Sequence, residues 1–451
     1  MATKPKIKTL TNSSVDILNA IRNSASTDYR NYVPIATADA ESIREIGAVL
    51  MDAPNLQNEF LTALVNRIGK VIITSKLYQN PIAMFKKGKL DLGETVEEIF
   101  VELAKPFQYD DDSETMLKKE TPDVRSAFHV MNYQKYYKNT VVPHEMEMAF
   151  TSMEGVTDLL TKIIERLYTS ANYDEFQVMK YLLAKKIVRG ELYPAEVAIA
   201  DDAESLKANT ATIKAISNQF EFMTDKYNLA HVHTTCGKQE QYLLIDANYD
   251  AKVDVNVLAS AFNMDKAEFL GHKVVIDGFG NLDEDRLAKL FADDTTYTPL
   301  TEAEKTALAE VPAVLVDGDF FQIYDKLIQF TSFQNGETLG QQNWFHNWKV
   351  FSASPFADAC VFVPVDPAVT SVTLAPTALT IAKGQSATVK ATVKTTGFAP
   401  QAVVYTSNST QVTVNASGLI TVGTGASGTA VITATSVFDS SKKATCTVTV
   451  G

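Results

Sequence analysis

Histidine and cysteine are scarce in this 451-residue chain, with six of the first and three of the second. Cys236, Cys360 and Cys446 are too few and too scattered for a disulfide framework, which suits a reducing compartment. No apolar run approaches the length of a membrane span. The lysine-rich start, Lys4 to Lys8, leads into the polar Thr11 to Ser14 rather than an apolar segment. No signal peptide is therefore expected, and the chain is expected to be made and folded in cytosol. Without export, the Asn-x-Ser/Thr triplets at Asn12, Asn408 and Asn415 carry no weight. A Gly-x-x-x-x-Gly-Lys-Ser/Thr phosphate loop and a Gly-x-Ser-x-Gly nucleophile elbow are both missing, which removes two large enzyme classes.

What remains of site chemistry is thin. His231-Val-His233-Thr-Thr-Cys236 brings three soft ligands together without a fourth nearby. Asp246-Ala-Asn248-Tyr-Asp250 starts like a calcium loop, yet Ala251 replaces the turn glycine and Val257 the closing glutamate. Asp110 to Asp112 reads as a solvated loop. No catalytic residue, cofactor or metal is expected, and the protein is not expected to be an enzyme.

The formal net charge of -13 is unevenly placed. From residue 366 onward there are five lysines, two aspartates and no glutamate, so residues 1–365 carry about -16. Such a break in composition marks a domain boundary, here between 1–365 and 366–451. The tail reads as all-β: Ser386 to Lys394 alternates strictly, and further β-branched runs recur at Ala402 to Tyr405, Val412 to Val414, Leu419 to Val422, Ala430 to Thr435 and Ala444 to Val450. Seven or so strands suit a β-sandwich. Val369 to Pro376, Ala416 to Val422, Gly428 to Thr435 and Ala444 to Val450 resemble successive strands of the bacterial immunoglobulin-like group 2 family, with Tyr405 at the place of its usual core tryptophan. A tyrosine fills that volume if its hydroxyl finds a partner. The module reads as a rigid surface decoration, with adhesion to a cell-surface polymer as the alternative.

The body reads as α+β. Val71 to Leu77 and Glu94 to Leu103 read as two strands around a basic tip that holds Phe85, Lys86, Lys87 and Lys89. A two-stranded excursion has little core of its own and must rest on something else, with a neighbouring subunit as the expected partner. Those four residues are the candidate intersubunit contact. Val156 to Val188 carries the longest helical periodicity, with a break expected at Asn172 to Glu175, where the spacing suits a capping box. Shorter elements follow, strands and short helices in alternation, at Tyr242 to Asp246, Val255 to Phe262, Val274 to Asp277, Glu284 to Phe291, Thr301 to Glu310 and Val314 to Val316. Thr301 and Glu304 form a second capping-box pattern.

Ile21-Arg-Asn23, Tyr32-Val-Pro34, Val65 to Gly69, Phe85-Lys-Lys-Gly88, Leu244 to Ala247, Val253 to Ala259, Val275 to Phe279 and Asp319-Phe-Phe321 together resemble the major capsid protein of phi-twenty-nine-like short-tailed bacteriophages. Leu282 to Val311, acidic and helical, looks like an insertion. The resemblance implies the tailed-phage and herpesvirus capsid fold: an N-terminal arm, an extended loop at about 71–107, a peripheral domain with a spine helix at about 156–189, and an axial domain. It implies many copies of one chain, as hexamers and pentamers, closing an icosahedral shell around double-stranded DNA, in a virion assembled in bacterial cytoplasm. A scaffolding protein and a portal are the partners it implies. A host-surface-binding or adhesin-type protein remains the alternative function.

Overall fold

The computed structural model describes residues 13–53, 55–60, 63, 78–90, 93, 95–107, 119–142, 150, 155–254, 272–336 and 340–451. The chain forms two compact units, one from 1–95, 130–177 and 323–351, the other from 96–129, 178–322 and 352–451.

The first unit opens with helices Ser13–Ser24, Thr27–Tyr32 and Ala40–Asp52. Side chains fix two of their starts: the Ser26 hydroxyl accepts the Tyr29 amide, and the Asp39 carboxylate accepts the Ser42 amide. Both satisfy donors that a first helical turn leaves open. Ile21, Tyr29, Ile43, Ile46, Leu50 and Phe60 close a core around Phe150. Gly47 makes room for that ring, since a β-carbon there would stand 2.5 Å from the Phe150 β-carbon. A four-stranded sheet follows in the order Lys86–Lys89, Phe321–Gln334, Gln341–Ala353, Tyr133–Val141.

The long helix runs unbroken from Gly155 to Val188. Leu167, Ala171, Phe176, Met179, Leu183 and Ile187 are buried, as their spacing predicts. The break expected at 172–175 is corrected. Asp174 accepts the Tyr137 hydroxyl at 2.7 Å, and Glu175 accepts the Asn80 amide at 2.8 Å. Acids that suited a capping box serve buried side-chain partners instead.

The second unit holds a five-stranded sheet ordered Tyr193–Glu196, Ala359–Val363, Ala313–Asp317, Gln241–Asp246, His272–Ile276. Val314, Leu315, Val361 and Phe362 are fully buried, as central strands covered on both faces must be. Helix Ala203–Gln219 and the sheet share a core that includes Leu206, Ile213, Phe220, Leu243 and Leu315. The stretch 282–311 folds into helices Glu284–Leu290 and Glu302–Ala309, the latter opened by the Thr301–Glu304 capping box. Its Leu287, Leu300 and Leu308 are buried. The strand expected at 71–77 and the element expected at 255–262 lie outside the described residues, as does the acidic run 110–112.

Also in this unit, residues 368–450 form nine short strands around Leu374, Val389, Ile420, Ile432 and Val448. The single strand expected at 386–394 divides at Val389, whose amide donates to the Gly418 carbonyl at 3.0 Å. Gly418 has φ +81°, and a β-carbon there would meet the Val389 oxygen at 2.2 Å, so only glycine fits. The Tyr405 hydroxyl accepts the Ala391 amide at 3.0 Å, the partner its burial requires.

Candidate assembly surface

Strand Thr95–Val101 pairs with Val124–Val130. In the body, this ribbon is a two-stranded element among the described residues, whereas the first strand of the pair expected from the sequence, 71–77, lies outside them. Beyond the strands, the Glu102 amide donates to the Asp123 carbonyl at 2.9 Å. One face of the ribbon is fastened to its own unit. The Phe100 ring stacks on Phe356 with centroids 5.6 Å apart. His129, 2% exposed, sits between Glu98 at 3.0 Å and the Ser352 hydroxyl at 2.8 Å. Ser354 donates to the other Glu98 oxygen at 2.8 Å, His233 meets Glu102 at 2.6 Å, and Arg125 donates to the Ala230 carbonyl.

The opposite face is apolar and open. Ile99, Val101, Val124, Phe128 and Val130 are each more than half exposed, at 60, 57, 53, 61 and 54%. Alternation along both strands puts all five on the side away from Phe100 and His129. Water-facing apolar groups gathered on one ribbon face mark an interaction surface. The ribbon thus has two different faces: one carries polar latches to its own chain, and the other offers apolar groups to the outside.

The tip residues lie elsewhere. Phe85 is buried in the first unit, and the expectation that this segment has little to hold it at home is corrected for Phe85 and Lys86. The strand Lys86–Lys89 runs parallel to Phe321–Gln334, with Lys86 opposite Ile323 and Lys89 opposite Asp325. Lys86 reaches Asp325 at 2.9 Å and Glu175 at 3.3 Å, while Lys349 contacts the same two carboxylates. Burial alone would raise Glu175, but Lys349 and Lys86 more than offset it and hold the carboxyl below its ordinary range. Asp325 behaves likewise. Lys87 and Lys89 stay exposed.

A second group of carboxylates gathers at Asp317, Asp319 and Asp358. Asp358 is fully buried, with one oxygen accepting from Thr234 at 2.9 Å and from Asn228 at 3.3 Å. The Asp317 amide donates to the Asp358 carbonyl at 2.9 Å. Burial, with Asp319 and Asp358 adding to it, pushes the Asp317 carboxyl up to about 6. A raised folded-state value means a contribution fully present below the unfolded value near 4 and lost as pH rises through about 6. Asp317→Asn should therefore melt above the natural protein at pH 8 by an amount on the order of 1–3 kcal/mol, with the difference vanishing near pH 4. Thermal melting across that range is the check, and a variant that melts lower at pH 8 would refute the sign.

The ligand-like motifs do not converge. His233 is taken up by Glu102, and Cys236 is fully buried with its thiol pushed up, chiefly by burial. Asp246 caps helix Ala247–Val253 by accepting the Asn248 and Tyr249 amides. Among the described residues no three His, Cys, Asp or Glu side chains are grouped to hold a metal ion.

The fold matches that of phage capsid proteins. Chains in the solved structures entitled "Structure of head fiber and inner core protein gp22 of native bacteriophage P68" and "Capsid structure of Staphylococcus phage Andhra" each superpose with a TM-score of 0.50 at 15% identity, over 65% of this chain and 86% of theirs. In sequence, the chain is 36% identical to the major capsid protein of Bacillus phage B103, over 91% of this chain and 87% of that relative. It is 33% identical to that of Bacillus phage PZA over the same shares. Residues 368–448 match the bacterial Ig-like domain (group 2). Residues 18–363 match the Phi29-like phage major capsid protein model, and with that match the chain belongs to this family: it is a structural capsid protein of the virion.

Proposed function

We propose that the open face of the ribbon Thr95–Val101/Val124–Val130 is the contact by which one copy engages the next in the shell. The observation that carries this is the unsheltered set Ile99, Val101, Val124, Phe128 and Val130, opposite a face fastened to its own unit. A Val, Ile or Phe side chain gains roughly 1.5–3 kcal/mol when fully buried, so a few of them suffice for a contact that is weak singly and firm when repeated around a closed shell. Lys87 and Lys89, both exposed, are candidates for a basic contribution to an acidic neighbour; Lys86 pairs with Asp325 and Glu175 of its own chain.

The acidic body keeps free subunits apart until assembly is triggered. The partners that fit this role are a scaffolding protein, a portal and double-stranded DNA contacted without sequence preference, with assembly in bacterial cytoplasm. Residues 1–365 act as the shell domain, and 366–451 as an outward module that can meet the host surface. No catalytic role is proposed. Electron microscopy of the chain expressed with and without its neighbouring phage genes tests the reading. Closed shells are expected when those genes are present. Discrete monomers or fibres under that condition would overturn it.

A further inference from the structure

A module joined only by a short linker would leave the helix end beside it solvated. Here that end is occupied. The long helix closes with Gly190 at φ +65°, its amide donating to the Ile187 carbonyl at 2.9 Å and the Glu191 amide to the Lys186 carbonyl at 3.0 Å. This is the paired-bond glycine ending common at helix C-termini. Residues of the immunoglobulin-like module press directly onto it. A β-carbon at Gly190 would lie 2.6 Å from the Ala399 oxygen and 2.9 Å from the Pro400 α-carbon. The Gln401 side-chain amide donates to the Val188 carbonyl at 3.3 Å, serving one of the acceptors that a helix end leaves open.

The loop that makes these contacts is itself held in an uncommon shape. Gly397 and Phe398 both have positive φ, +57° and +55°. Gly397 has a reason: a β-carbon there would meet the Val365 oxygen at 2.7 Å and the Pro367 α-carbon at 2.9 Å. Phe398 has no such freedom, and a bulky residue in the left-handed region is strained, a cost that surrounding contacts must offset. Thr396 ties the loop to the connection by donating to the Asp366 carbonyl at 3.2 Å, and Ala399 is fully buried. Close approach at two glycines, a satisfied helix-end carbonyl and a strained loop all point the same way.

We infer that the immunoglobulin-like module is seated on the C-terminal end of the long helix, with Gly190 as the socket and Ala399 to Gln401 as the plug, and does not swing on residues 364–367. The module is then a fixed part of each subunit, presented in one orientation on every copy.

Two asparagine substitutions separate the contact from backbone strain, because asparagine tolerates positive φ better than other side chains with a β-carbon. Gly190→Asn adds that carbon inside the socket. Gly428→Asn adds it at φ +81° with nothing within 4 Å. In cryo-electron microscopy of assembled shells, the natural module should be as sharply resolved as the long helix. Gly190→Asn should blur it and raise the rate of proteolytic cutting near residues 364–367 at least tenfold, while Gly428→Asn should change neither. If Gly190→Asn fails to assemble, Pro400→Arg places bulk on the plug side, and cutting rates are read on the unassembled chain. A smeared module in the natural shell, or a module that stays sharp or uncut in both Gly190→Asn and Pro400→Arg, would overturn the inference.

Discussion

Replacing Ile99, Val101 and Phe128 together by aspartate is expected to abolish shell formation while leaving the melting temperature of the unassembled chain within about 2 °C. All three side chains already face water, so the monomer loses little when they change. A neighbouring copy would lose roughly 1.5–3 kcal/mol per buried apolar side chain and would meet three added charges on an already acidic protein. The same deficit recurs at every equivalent contact, which is why a shell amplifies it. Phe100→Asp supplies the contrast: Phe100 stacks on Phe356 inside its own unit, so this change should lower the melting temperature itself. Sedimentation of co-expressed protein, beside melting of the unassembled fraction, reads both effects. Normal shells from the triple variant would show that the ribbon face contacts no other copy.

Glu175→Gln should destabilise the first unit by roughly 3–5 kcal/mol, because removing one partner of a buried ion pair strands the other. Lys349 and Glu175 side chains are only 3% and 4% exposed, and Lys86 shares the same carboxylates. With Glu175 neutral, two ammonium groups face Asp325 alone. A drop on the order of 10 °C in melting temperature follows for a unit of this size. Replacing the pair by apolar side chains, Glu175→Leu with Lys349→Met, should recover much of the loss. The pH dependence has the opposite sign to that of Asp317. Glu175 and Asp325 are held below their ordinary range, so their contribution is present above the unfolded value near 4 and lost as pH falls through the lower folded one. A shift of less than a degree in Glu175→Gln would mean that solvent reaches the cluster.

Periodicity carried much of the fold. The long helix, the capping box at Thr301 and Glu304 and the two-faced strands of the tail were legible because burying one face imposes a period on the chain. Misreadings arose where a residue serves a distant partner. Asp174 and Glu175 have the spacing of a helix start, yet their partners Tyr137, Asn80 and Lys349 lie far off in sequence. Phe85 and Lys86 belong to a stretch rich in lysine, and nothing local announces that Glu175 and Asp325 neutralise one of those lysines.

The assembly surface was the least legible part. Its signal lay in residues 124–130, where Val124, Phe128 and Val130 alternate with Arg125 and His129. Residues 102–123 separate that run from 95–101 in the sequence, too many for a short hairpin loop, so the pairing could not be read from spacing. Composition and local pattern were enough to divide the chain into an acidic α+β body and a nearly uncharged β module, and to exclude the familiar catalytic motifs, since both depend on residue type and near-neighbour spacing. Which strand pairs with Thr95–Val101, which lysine is neutralised at home and where Gly190 finds Ala399 were settled only in three dimensions, because each depends on contacts between residues separated by tens or hundreds of positions along the chain.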